Sequence, residues 1–172
     1  MTVIDSGVRS WRDRAGFCGM DLLDQPSGEL SDGMKSLLSG LAEHTKLSHD
    51  LLAAFTDRYE VFPAQLVGAR TRELSAIRLL LGRYGVPDPT AGLPAGKFLR
   101  SDMQFRYDRL LGEGMRDRIS ALAVGTRLAD TTVTILDEAL RHLDAPDVRH
   151  TFLHLVMAAH QQIRLAQAWS GR

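Results

Sequence analysis

Arg70 and Glu73 carry opposite charges on a helical face that is otherwise apolar. The apolar positions of this face recur at three- and four-residue steps: Phe62, Leu66, Ile77, Leu80, Leu81 and Tyr84. A buried charge persists only when it is paired and hydrogen-bonded. The two side chains therefore predict either an internal ion pair or a pocket in which Arg70 grips a carboxylate or phosphate and Glu73 transfers protons.

Small or polar residues also interrupt the apolar rows of the three other long helices that the sequence predicts. They are Glu43, His44, Thr45 and Ser48 in the first, Thr126, Ala129 and Asp130 in the third, and Ala159 and Gln162 in the fourth. Because antiparallel helices of similar length bring their centres to one level, we expect a single polar layer. In the structural interpretation of this layer, Arg70 pairs with Glu43, Glu73 or Asp130 and fixes the helix register.

Four long amphipathic helices and one short helix are predicted to position this layer. The long helices cover about 31–59, 63–84 and 115–143, with a fourth from about 146, and the short helix covers about 101–111. A Gly- and Pro-rich segment, residues 85–96, follows the second long helix. Since no strand pattern is present, the prediction is an all-α fold: an antiparallel four-helix bundle with an extra short helix in the long connection between helices 2 and 3.

The chain is expected to divide into an N-terminal arm, residues 1–30, and the helical bundle, residues 31–172. The arm lacks periodicity, and it is either loose or packs Trp11, Phe17 and Cys18 over an opening in the bundle.

The composition of the 172-residue chain is that of an ordinary globular protein, with 44% hydrophobic and 24% charged residues. Its 21 basic and 21 acidic residues cancel, so no overall field attracts nucleic acid or an anionic membrane. The single cysteine allows no internal disulfide. Neither a signal-peptide pattern nor an apolar run of membrane-spanning length is found, so cytoplasmic localisation is expected.

Five segments of the chain carry a family resemblance. They are KLSHDLLAAF (46–55), LLLGRYGVPDP (79–89), GKFLRSDMQFRYDRLLGEG (96–114), LAVGTRLAD (122–130) and IRLA (163–166). In this order they resemble the ferritin-like superfamily, and more narrowly a bacterial and archaeal branch described as a ferritin-like domain of unknown function. The resemblance implies a helical bundle that holds two metal ions with Glu and Glu-x-x-His ligands.

The metal ligands that the resemblance implies are largely replaced. The Glu-rich run of the first helix reads Glu43-His44-Thr45, the Glu-x-x-His motif reads Arg70-Thr71-Arg72-Glu73, the acidic pair reads Ala129-Asp130, and the last histidine is Gln162. An arginine among the ligands adds a competing positive charge, so no metal site and no cofactor are predicted. His150 and His154 lie one turn apart without a carboxylate between them, and they are interpreted as surface or boundary residues.

The leading hypothesis is a metal-independent enzyme for a small molecule that carries a carboxylate or phosphate. Glu73 is assigned as the general acid/base and Asp130 as its assistant. Substrate contacts are assigned to Arg70, Gln162, Glu43, His44, Thr45 and Thr126. Proton transfer and positioning suffice for a condensation or cyclisation, for example an amine joined to an aldehyde through an iminium, as in a Pictet–Spengler reaction.

Two further hypotheses stay open. The first is a non-catalytic helical binding or assembly protein with a structural Arg–carboxylate layer, and a homodimer is compatible with it. The second is a residual di-metal oxidase that uses Glu43, Glu73, Asp130 and His44.

Overall fold

A computed structural model describes residues 20–171 of the chain. Five α-helices follow a short 3-10 helix (Met20–Asp24): α1 (Asp32–Arg58), α2 (Gln65–Arg83), α3 (Ser101–Gly114), α4 (Arg118–Leu140) and α5 (Pro146–Ser170). No strand occurs within residues 20–171. The all-α fold, with a short helix between the second and third long helices, is therefore confirmed. The predicted packing of Trp11, Phe17 and Cys18 lies outside the described residues.

Local sequence signals determine where the long helices begin. The Ser31 hydroxyl accepts a hydrogen bond from the Met34 backbone N–H at 3.1 Å and caps α1. The Asp117 carboxylate caps α4 in the same way by accepting from the Ser120 N–H at 2.7 Å. Pro146 occupies the first turn of α5, where its missing N–H removes no helical hydrogen bond.

The four long helices surround two clusters of buried apolar side chains. α1 packs along α2, and α4 packs along α5, while α1 also contacts α4 and α2 contacts α5. The first cluster includes Leu38, Ile77, Leu80, Leu136 and Phe152. The second cluster includes Leu47, Leu51, Phe55, Leu122 and Ala166. On α1, α2 and α5, predicted polar-layer residues such as His44, Arg70 and Gln162 lie in sequence between residues of the first cluster and residues of the second.

The long connection between α2 and α3 is fixed to α1 by a buried ion pair. The Lys46 Nζ atom donates to the Asp50 carboxylate at 2.5 Å and to the Pro94 carbonyl at 2.9 Å. The Gly96 N–H donates to the same Asp50 carboxylate at 2.9 Å. Gly96 has a φ of 73°, which a glycine adopts without strain. The connection is thereby held in place, and it delivers Arg100 to the start of α3.

One helix, α4, is long and apolar enough by length and composition to cross a membrane. This differs from the expectation that no segment reaches that length. The leucines of α4 pack inside the protein, where Leu122, Leu128 and Leu136 are at most 2% exposed. A core helix meets the same criterion because its inner face is apolar, so length and composition alone do not identify a membrane span.

Candidate functional site

Buried polar side chains from three helices lie between the two apolar clusters. His44 of α1, Arg70 and Glu73 of α2, and Gln162 of α5 are each at most 5% exposed. α4 contributes Thr132, which is 7% exposed, together with backbone carbonyls. This set of side chains is called the polar layer below.

Arg70 and Glu73 form an ion pair inside the polar layer. The Arg70 Nη2 atom donates to Glu73 Oε1 at 2.7 Å, and the side chains are only 3% and 6% exposed. Burial raises the pKa of Glu73 to about 7, and the charges of Arg70 and Arg72 oppose this rise. Of the three partners that the sequence offered for Arg70, the structure therefore selects Glu73.

His44 is held as a neutral imidazole between α1 and α4. Its Nε2 atom lies 3.2 Å from the Leu128 carbonyl and 3.0 Å from Thr132 Oγ1. Since a carbonyl only accepts, Nε2 carries the proton and Nδ1 is an acceptor. Burial lowers the pKa of His44 to about 4, and the charges of Arg106 and Arg70 act in the same direction.

Gln162 is hydrogen-bonded to the backbone of α4. Its Nε2 atom donates to the Gly125 carbonyl at 2.7 Å. A Cβ atom added at Gly125 would lie 3.4 Å from Leu52 Cδ2 and 3.6 Å from the Gln162 amide nitrogen. Both distances are ordinary van der Waals contacts, so the Gln162 hydrogen bond does not require a glycine at this position.

Four polar atoms of this region are buried without a hydrogen-bond partner among the described residues. They are His44 Nδ1, Ser48 Oγ, Arg70 Nε and Gln162 Oε1. Such atoms in a native interior ordinarily bind an internal water or a polar group of a ligand. The set offers both donors and acceptors, so it suits a water molecule or a small polar molecule.

Asp130 and Thr126 do not join the polar layer. Asp130 is exposed, and the half-buried Thr126 donates its hydroxyl to the Leu122 carbonyl of its own helix at 3.0 Å. The sequence interpretation placed Ala129 correctly on the buried face of α4, but it took Thr126 as an inner residue and put Asp130 at the border of that face. The observed row passes through Leu128, Thr132 and Leu136, so residue 130 faces outward and Thr132 takes the inner place.

Glu43 lies apart from Arg70, on the wall of a groove with a volume of about 740 Å³. One wall of the groove is α1 from Asp32 to Glu43, and the other is formed by residues 85–89 with Leu99 and Arg100. A second cleft of about 230 Å³ shares Gly40, Glu43 and Arg100 with the groove and extends to His44. Thr45, which follows His44 in α1, is buried at 5% exposed and lines neither the groove nor the second cleft.

The carboxylate of Glu43 is buried beside an exposed arginine. Glu43 is 5% exposed, and its Oε2 atom accepts from Arg100 Nη1 at 3.4 Å. Burial raises the pKa of Glu43, while Arg100 opposes this and Asp102 adds to it. Arg100 is held in turn by the Asp102 carboxylate, through contacts of 3.1 and 2.5 Å.

Thr132, Arg100 and Arg106 are site residues that the sequence interpretation missed. Arg106 is half-buried and lines the cleft of about 230 Å³. Periodicity offers a signal for it, because it follows Met103 by three residues and precedes Leu110 by four, beside the inner face of α3. Arg100 has no such signal, since it ends an irregular connection.

Comparisons with known proteins identify the family of the chain. The family model described as "Uncharacterized protein domain (DUF2202)" matches residues 34–166. The uncharacterized protein MJ0754 of Methanocaldococcus jannaschii is 22% identical over 141 residues, which make up 81% of this chain and 76% of that protein. The crystal structure of this hypothetical protein, reported under the name Methanococcus jannaschii, matches with a TM-score of 0.78 at 21% identity, covering 85% of this chain and 84% of that one. This likeness shows a shared fold, and because the family model matches most of the chain, the protein belongs to the DUF2202 family.

Proposed function

We propose that the protein is a metal-independent small-molecule enzyme built on a ferritin-like four-helix bundle. Its site is the groove beside Glu43, and its reaction is an acid/base-assisted condensation or cyclisation of a substrate that carries a carboxylate or phosphate. The observation that carries the proposal is a buried carboxylate, Glu43, on the wall of a groove of about 740 Å³. That volume falls in the range of about 300–1,000 Å³ that is typical of ligand pockets.

The polar layer does not fit the two metal ions that ferritin-like bundles commonly hold. The Arg70 guanidinium lies 2.7 Å from the Glu73 carboxylate and places a positive charge where a cation would bind. We therefore derive no step that uses a metal at this layer.

The charges around the groove favour an anionic substrate. Lys35 and Arg100 line it together with Glu43. Arg100 is exposed, and its guanidinium pairs with the Asp102 carboxylate through contacts of 3.1 and 2.5 Å. An anionic substrate would replace that carboxylate and bind through paired hydrogen bonds. Asp32 and Asp88 also line the groove, but Asp88 is paired with Arg78 at 2.9 Å. An anion bound at Arg100 would sit next to the Glu43 carboxyl group.

A carboxyl group with a raised pKa suits the chemistry of the proposed reaction class. An amine and the carbonyl group of an aldehyde or α-keto acid take up one proton and lose one water to give an iminium. A carbon–carbon bond then closes the ring, and the ring carbon releases its proton to a base. Each step needs only a proton donor or acceptor. Glu43 supplies this group, because burial keeps its proton bound at a higher pH than that of an ordinary glutamate.

The first experiment measures anion binding to the full chain. Pyruvate, phenylpyruvate and inorganic phosphate are titrated, and binding is followed by amide chemical shifts. We expect shifts along α1 and at residues 85–89, and several-fold weaker binding for Arg100→Gln. Arg116→Gln, which changes another exposed arginine, is the control. The absence of saturable binding by all three anions, or binding that Arg100→Gln leaves unchanged, contradicts the proposal.

A matched pair of variants then separates the groove from the polar layer. Dopamine is incubated with the α-keto acid that binds, and the enantiomeric excess of the cyclised product distinguishes catalysis from the background reaction. Glu43→Gln should reduce the rate by roughly 10²-fold or more, whereas Glu73→Gln should leave it largely unchanged. The reverse result would move the acid/base group to Glu73, and a racemic product would refute the reaction class.

The Arg70–Glu73 contact favours a second candidate function, a non-catalytic binding or assembly protein. The ion pair has a distance of 2.7 Å and is shielded from solvent, as expected for a pair that fixes the register of the helices. This candidate predicts that no enantiomerically enriched cyclised product forms, so the incubation with dopamine distinguishes it from the enzyme.

A further inference from the structure

Asp21 of the 3-10 helix lies against two histidines of α5, away from the groove and the polar layer. The Asp21 Oδ2 atom is 3.1 Å from His150 Nε2. The rings of His150 and His154 meet edge to face, with centroids 4.6 Å apart. One ligand atom from each of the three residues lies within 4.8 Å of the other two. The fold therefore supplies the carboxylate that the sequence lacks between the two histidines.

The position of Asp21 is determined by its neighbours in the chain. Leu22 is fully buried in the first cluster, and its carbonyl accepts a hydrogen bond from Arg83 at 3.4 Å. Farther along, the Asp147 N–H at the start of α5 donates to the Pro26 carbonyl at 3.3 Å. The segment from Asp21 to Pro26 is thus attached to the same helix that carries the histidines.

We propose that Asp21, His150 and His154 bind a divalent transition-metal ion such as Zn²⁺. Histidines four residues apart on a helix present their rings on one face, as in helical zinc motifs. Two imidazoles and one carboxylate form a common ligand set for such ions, and other positions stay open to water. Ligand atoms around one tetrahedral Zn²⁺ lie about 3.3 Å apart, given bond lengths of about 2.0–2.2 Å. The observed separations, of up to 4.8 Å, would shorten to this value on binding by rotation of the side chains.

The geometry also indicates what the ion would do. Asp21 belongs to the segment that precedes α1, whereas both histidines belong to α5. One ion bound by all three would join this segment to the last helix and stabilise the folded state by mass action. This role involves none of the residues of the groove, so the inference stands independently of the proposed function.

Zinc titration of the metal-free full chain tests the inference. Protein without an affinity tag is stripped with a chelator, and Zn²⁺ binding is measured by calorimetry at neutral pH. We expect one ion per chain and a higher melting temperature with Zn²⁺ present. His150→Ala, His154→Ala and Asp21→Asn should each weaken binding, by about 100-fold or more for the histidines, since even indirect ligand partners are worth about 10–100-fold.

His160→Ala is the matched control, because it makes the same substitution at an exposed histidine of the same helix. Circular dichroism establishes that each variant is folded, and the half-buried positions of the three residues favour this. As a measurement that needs no variant, Co²⁺ bound by the wild-type chain should give visible absorption bands of a site with nitrogen ligands. Failure of the wild type to bind Zn²⁺ saturably, or equal binding by the His150→Ala and His160→Ala variants, overturns the inference.

Discussion

Glu73 is the residue whose protonation should most clearly couple to the stability of the fold. In an unfolded chain it releases its proton near pH 4.5, whereas in the folded protein burial raises its pKa to about 7. Between these values the folded state binds more protons than the unfolded state, so the free energy of unfolding falls as the pH rises. A shift of this size corresponds to about 3 kcal/mol.

The comparison of the wild type with Glu73→Gln measures this coupling. The difference in unfolding free energy, wild type minus variant, should fall by about 3 kcal/mol between pH 4.5 and pH 8, as measured by urea denaturation. The variant is needed because His44 acts in the opposite sense. Its pKa is lowered to about 4, so its contribution is complete above pH 6.5 and is lost as the pH falls through about 4. A difference that does not change with pH would contradict the raised pKa of Glu73.

At the scale of the helices, the C-terminal end of α3 packs tightly against α1. A Cβ atom added at Gly114 would lie 2.1 Å from Phe55 Cζ, a distance that real Cβ atoms essentially never show. The Tyr59 hydroxyl also donates to the Gly114 carbonyl at 2.6 Å. The absence of a side chain at this position therefore lets the two helices pack.

Gly114→Ala should destabilise the protein by about 1–3 kcal/mol, the usual range for overpacking a core. Gly112→Ala in the same helix is the control, because its added Cβ meets no atom within 4 Å. There the better helix propensity of alanine should be neutral or stabilise by up to about 1 kcal/mol. The midpoints of urea unfolding measure both effects. Equal effects of the two substitutions would show that the contact with Phe55 does not limit packing.

The same local rules explain how much of the fold could be predicted from the sequence. Five helices in the observed order follow from apolar residues at three- and four-residue steps and from caps such as Ser31 and Asp117. The i, i+3 spacing of Arg70 and Glu73 similarly made their pairing one of the expected outcomes. Such features depend on residues close together in the chain.

The rest of the candidate site depends on contacts that periodicity does not encode. Asp130 follows the buried Ala129, but one residue turns a helix by about 100°, and that step takes it to the exposed side. Arg100 reaches Glu43 because the Lys46–Asp50 pair fixes the connection before α3. Asp21 reaches α5 through the burial of Leu22 and the hydrogen bond between Pro26 and Asp147. None of these placements can be read from local spacing.

At the scale of the whole molecule, the polar layer separates two apolar clusters that would otherwise form one core. Arg70 and Glu73 are deeply buried, and replacing a buried ion pair by apolar residues of similar volume is often neutral or stabilising. Removing one partner instead leaves an uncompensated charge, which usually costs about 3–5 kcal/mol. The layer therefore has a cost in stability that only a role in register or in ligand binding explains.

A double-mutant cycle with Arg70→Met and Glu73→Leu tests this cost. Each single variant should lose several kcal/mol of unfolding free energy at neutral pH, whereas the double variant should be as stable as the wild type or more stable. If the pair fixes the register, the double variant should lose the dispersed amide spectrum of a unique fold while it stays helical. If the pair does not fix the register, the double variant should keep that spectrum and still bind anions at Arg100. A double variant as unstable as the sum of the single variants would show that the two side chains are not energetically coupled, and it would contradict a structural role for the pair.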